Sequence, residues 1–133
     1  MQDLKSAIPG YPNQCFNGVS SATSATQGTP FIIEMCSNTG NYAWQVTPTG
    51  TVTSATVNLM GSLDGVNWYQ LDTMNQGDTA GAANGISYTG WNSTSGELRW
   101  VTSRPVIHLR IDPISVNGGG SVTGSFTIFD PNK

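Results

Sequence analysis

From Phe31 onward, apolar and polar residues mostly alternate with a period of two, and no stretch carries the 3.6-residue period of a helix. The clearest block runs from Val57 to Leu71, VNLMGSLDGVNWYQL. Val57, Leu59 and Leu63 share one phase, and Gly61 continues it. Asp64-Gly65 then marks a reversal, because Gly accepts positive φ and Asp bonds its own backbone in turns. Trp68 and Tyr69 fall on the return strand. The pattern predicts a central β-hairpin whose register stays open. A two-residue loop puts Trp68 on the face of Leu59 and Gly61, whereas a bulged three-residue loop puts Tyr69 and Leu71 there.

Other strands are expected over Phe31–Met35, Tyr42–Thr47, Ile86–Trp91, Glu97–Val101, Pro105–Asp112 and Ser121–Phe129. In Pro105–Asp112, Ile107, Leu109 and Ile111 should face the core. Val106, His108, Arg110 and Asp112 should face solvent or a partner. Met74–Gly85 reads as a long surface loop. About eight short strands between turn signals predict an all-β fold, an antiparallel β-sandwich with jelly-roll-like order. A small closed barrel is the alternative. Residues 1–29 differ: Pro9, Gly10 and Pro12 break regular structure, and SSATSATQG has no period. They read as an extended N-terminal arm preceding a sandwich domain over 30–133. Ile8, Tyr11 and Phe16 are its apolar anchors and the candidate contacts to a neighbouring subunit.

Composition narrows the function more than the fold. Charged residues make up only 10% of the 133, and the net charge is −3. Five Lys and Arg cannot form a basic stripe, so binding to nucleic acid or to an anionic membrane is not expected. No run approaches the length of a membrane span, and the N-terminus lacks the apolar core of a signal peptide, so synthesis in a host cytoplasm is expected. Cys15 and Cys36 show no zinc-site spacing, and their pairing stays open.

Chemistry is sparse. His108 has no nucleophile elbow to serve, and Asp64, Asp72, Asp78, Glu97 and Asp112 form no recognisable catalytic pair. Asp64 and Asp78 lack the spacing of a calcium loop. No enzyme activity, cofactor or metal is expected. The Asn92-Ser93-Thr94 sequon reads as chance without a secretory route. Trp44, Trp68, Trp91 and Trp100 read first as core fillers. Trp91, at a strand end beside Asn92, is the candidate exposed platform for a glycan.

The run W-x-V-x-P-x-G followed by A-x-V-x-L-x-G-S-L-D-G-x-N-W-x-x-L, from Trp44 to Leu71, resembles small β-sandwich proteins of bacteriophage particles. R-P-V-x-x-L-R-I from Arg104 to Ile111 and the Thr-rich closing strand fit the same resemblance, which spans residues 42–129. The S-L-D-G-x-x-W hairpin, with Asp64, Gly65 and Trp68, is also similar to that of discoidin-like carbohydrate-binding sandwiches. The resemblance implies a virion structural protein, such as a capsid decoration or head-fibre-like protein. Its implied partners are the major capsid protein and further copies of itself, with a trimer preferred for a local threefold axis. The alternative is a carbohydrate-binding module on the virion surface or tail that attaches to a host surface glycan.

Overall fold

A computed structural model describes residues 16–33 and 40–129. Among them are ten strands: β1 (Phe16–Ala22), β2 (Phe31–Ile32), β3 (Tyr42–Thr49), β4 (Ser54–Ser62), β5 (Tyr69–Asn75), β6 (Thr79–Ala83), β7 (Ile86–Gly90), β8 (Glu97–Val101), β9 (His108–Asn117) and β10 (Ser121–Ile128). They form two antiparallel sheets, a larger one in the order β1-β10-β3-β8-β7-β6 and a smaller one in the order β2-β9-β4-β5. The all-β sandwich expected from the alternation is the fold observed.

The core lies between the sheets and follows the period of two. Tyr42, Trp44 and Val46 of β3, Val122, Phe126 and Ile128 of β10, and Val57 and Leu59 of β4 are all buried inward. Gly124 sits in phase between Val122 and Phe126. A Cβ there would come within 2.8 Å of Ile111 Cγ2, so the glycine makes room for a side chain from the opposite sheet.

Several expectations shift. The arm expected over 1–29 contains sheet: residues 16–22 pair with β10 along the edge of the larger sheet. An edge strand needs only one neighbour's backbone, so a segment without a period of its own can still be paired into the sheet. The following segment is also tied down, with the Thr26 amide donating to Pro113 O at 2.9 Å and the Gly28 amide donating to Asp112 Oδ1 at 2.9 Å. Ile8, Tyr11, Cys15 and Cys36 lie outside the described residues, as does the end of the expected Phe31–Met35 strand.

The loop expected at Met74–Gly85 contains β6, which pairs only with β7 and is exposed throughout. β9 starts later than expected, at His108, and continues through Pro113 to Asn117. A register shift against β4 between Thr56 and Val57 carries the strand past Pro113. Asp112, expected to face solvent, is buried beneath Gly28.

Candidate functional site

The central reversal is wider than an Asp-Gly hairpin turn. β4 ends at Ser62 and β5 begins at Tyr69, leaving residues 63–68 as a loop. Asp64 organises it. One carboxylate oxygen accepts from the Val66 amide at 2.9 Å and the Asn67 amide at 2.8 Å, and the other accepts from Asn67 Nδ2 at 2.7 Å. Ser62 Oγ donates to the same carboxylate at 3.0 Å and accepts from the Gly65 amide at 2.8 Å. The donors from Asn67 and Val66 hold the Asp64 carboxyl well below the usual carboxylate range. Gly65 has φ +76°, and the Asp-Gly pair thus makes the turn by a different route from the one its sequence suggests.

The loop folds back over the outer face of β9. A Cβ on Gly65 would lie 3.2 Å from His108 Cε1. Trp68 meets His108 edge-on at 6.2 Å between centroids, and the Arg110 guanidinium lies 4.2 Å from the centre of the Trp68 ring. Arg110 Nε also donates to Asp112 Oδ2 at 2.9 Å. Trp68 is therefore not a core residue. It is half-buried on the outside of the smaller sheet, and Leu71 closes the space above Gly61 instead, because a register shift between Leu59 and Met60 redirects β5. Beside the exposed Asp64 and Asn67, the loop and the first residue of β5 hold three large apolar side chains in solvent: Leu63, Val66 and Tyr69 are 71%, 77% and 69% exposed. The alternation counted Leu63 with the core, and no local signal placed these three side chains together at a tip.

A second polar constellation joins the two sheets from inside. Arg99 of β8 donates from Nε to Asp72 Oδ2 of β5 at 2.7 Å and from Nη1 to Glu97 Oε2 at 2.6 Å. The Trp44 indole N–H donates to Asp72 Oδ2 at 2.8 Å, and Asp78 Oδ2 lies 3.4 Å from Arg99 Nη1. Tyr88 stacks on the guanidinium at 4.2 Å. Burial works against the Arg99 charge, yet the bonds to Asp72 and Glu97 outweigh it and raise its pKa. Burial pushes the Glu97 carboxyl up to about 7, with Asp78 adding to the shift and Arg99 opposing it. Glu97 Oε1 is buried and has no hydrogen-bond partner among the described residues. The cluster fixes one sheet against the other. Its members come from four strands and a turn, so no spacing in the sequence revealed it.

Trp91 packs half-buried against the core, and Asn92 is exposed beside it. Asn92 Oδ1 accepts from the Thr94 amide and hydroxyl at 2.9 and 2.8 Å, which spends that oxygen on its own turn. Phe16 opens β1, opposite Thr127. Asp64 and Asp78, weighed as metal ligands, are turned to the loop backbone and to Arg99 and the Asn75 amide.

With this geometry in place, comparison with known proteins is informative about the scaffold. No protein-family model matches the chain, and no curated protein matches its sequence. Its fold is similar to the crystal structure of the SPBc2 prophage-derived protein YomS, with a TM-score of 0.56 and 16% sequence identity over 90% of this chain and 97% of that one. At that identity the likeness is one of fold: both chains are β-sandwiches, matched over nearly their whole lengths.

Proposed function

We propose that this protein is a structural component of a phage particle, a decoration protein that binds the capsid surface through the 63–69 loop. The observation that carries the reading is the tip itself. Three large apolar side chains stand out in solvent, Leu63 and Val66 on a loop that Asp64 and Ser62 hold by hydrogen bonds and Tyr69 at the start of β5. Exposed apolar groups on a pre-ordered loop lose little conformational entropy on docking, which favours a protein partner. The sparsely charged surface supports the same reading, since few charges need desolvating at a seam between subunits. The fold likeness to a prophage-derived protein is consistent with it. The partner is the major capsid protein, and assembly into a small homo-oligomer, a trimer at a local threefold, would multiply weak contacts through effective concentration. Binding is non-covalent and needs no cofactor or turnover.

The test is quantitative mass spectrometry of purified particles, paired with rebinding of recombinant protein. A copy number in simple ratio to the capsid protein is expected, together with loss of rebinding for the variant L63S/V66S/Y69S at unchanged thermal stability. Absence from particles, or full rebinding by the triple variant, overturns the reading. A few copies per particle would instead place the protein at a tail or vertex, where host-glycan attachment is the competing role.

A further inference from the structure

The four tryptophans have separate fates, and one of them lacks a structural task. Trp44 is core, Trp91 packs against the core, and Trp68 is sandwiched by Arg110 and His108. Trp100 alternates with the inward Arg99 and Val101 of β8 and so lies on the outer face of the larger sheet. Among the described residues its ring has no aromatic or cationic partner, and its indole N–H makes no hydrogen bond. Its cross-strand neighbours are small: Ala43 on one side and Ser87 on the other, with Ala82 beyond Ser87. The ring therefore stands between low flanks, at one side of an open dish of about 390 Å³ that Ser87, Asn84, Thr102 and Ala82 also line.

The rim of this dish is held in place. The Asn84-Gly85 turn has φ of +55° and +76°, and Gly85 O accepts from both the Thr102 amide at 2.8 Å and the Thr102 hydroxyl at 3.0 Å. Arg104 donates to Asn84 O at 2.8 Å and to Thr102 O at 3.0 Å, so its charge is spent clamping the turn. Among the described residues no ionisable side chain lines the dish. Its volume falls within the range of small-molecule sites, about 300–1,000 Å³.

We propose that the Trp100 dish is a binding site for a neutral sugar ring of a glycan. A pyranose offers an apolar C–H face to lie on an indole and a rim of hydroxyls for Ser87, the Asn84 carboxamide and the Trp100 N–H. An uncharged lining suits a neutral ligand. A stacked nucleobase would bring phosphates, and a chain of net charge −3 with five basic residues offers them little. The site lies on the larger sheet, away from the 63–69 loop on the smaller one, so it does not depend on the capsid reading.

The full chain is tested on an array of neutral and acidic glycans, and the strongest neutral binder is then titrated by calorimetry. Wild type should bind at least one neutral glycan. Trp100→Ala should weaken binding roughly tenfold or more, the scale of a lost aromatic stack. Trp100→Phe should retain part of the affinity. Ser87→Phe, which fills the dish and leaves the indole in place, should also abolish binding. Trp68→Ala should leave it unchanged. Circular dichroism and melting temperature confirm folding of each variant. The proposal is overturned if wild type binds no neutral glycan, or if Trp100→Ala and Ser87→Phe both bind like wild type. It is equally overturned if Trp100→Ala impairs attachment to phage particles while no glycan is bound, since the ring would then be a protein contact.

Discussion

Glu97 makes the stability of this protein fall as pH rises through neutrality. Its side chain is fully buried, faces Arg99 and Asp78, and has a pKa pushed up to about 7 from an ordinary 4.5. In the unfolded chain Glu97 ionises near its ordinary value, so between those two values the folded state holds the extra proton. Stability from this group is fully present below about pH 4.5 and is lost as pH rises through 7. A shift of that size corresponds to about 3 kcal/mol at full development. Most of it is expressed between pH 5 and pH 8, and for a chain of this length the melting temperature should drop by roughly 8–10 °C over that window. Glu97→Gln keeps the shape and the bond from Arg99 but cannot ionise. Its melting temperature should match wild type at pH 5 and exceed it at pH 8. The assay is calorimetric melting of both proteins across the range. Parallel pH profiles for the two proteins would refute the assignment, as would a wild-type profile that rises towards pH 8.

Arg99→Met keeps the aliphatic stem but strands Asp72 and Glu97 without their cation; a loss of about 3–5 kcal/mol is expected by urea unfolding at pH 8, and a smaller one at pH 5, where Glu97 holds its proton. Gly96→Ala would drive a methyl group into the Val46 carbonyl at a φ of +77°, so it should lower the melting temperature by more than about 10 °C, whereas Asn92→Ala at the other end of the same turn should cost far less. Asp64→Ala removes the acceptor that gathers the Val66 and Asn67 amides; hydrogen exchange at those amides should accelerate while β3 and β10 stay protected.

Much of the candidate site was legible only as a location. Asp64-Gly65 identified where the chain reverses, and the reversal is there. Its form was not legible, because the alternation assigns Leu63 to the core phase and gives no hint that Ser62 and Asp64 build a six-residue loop of their own. The tryptophans show the same limit. Trp44 was readable as core from the phase of Tyr42 and Val46. Trp68 left the core because the β5 register shift lets Leu71 cover Gly61. Trp100, read first as a core filler, lies outside instead, because the inward face of β8 is taken by Glu97, Arg99 and Val101. A buried arginine contradicts the binary pattern, and Asp72, Asp78 and Tyr88 arriving from elsewhere in the chain, beside Glu97 on its own strand, make it tolerable.

The sequence by itself determined that the chain is all-β, where most strands run and which residues of β3 and β10 share the core face. Those properties are local: a period of two and a turn residue act within a few positions. It also limited the surface chemistry, since five basic residues cannot make a phosphate-binding stripe however the chain folds. Only the tertiary structure decided which faces meet. Residues 16–22 became an edge strand because β10 offered a free edge, Asp112 was buried because Gly28 crosses over it, and Trp100 was left open because Ala43, Ser87 and Ala82 are its neighbours in the sheet. Each outcome depends on strand order and register across tens of residues, and a local pattern carries no information about partners that far away.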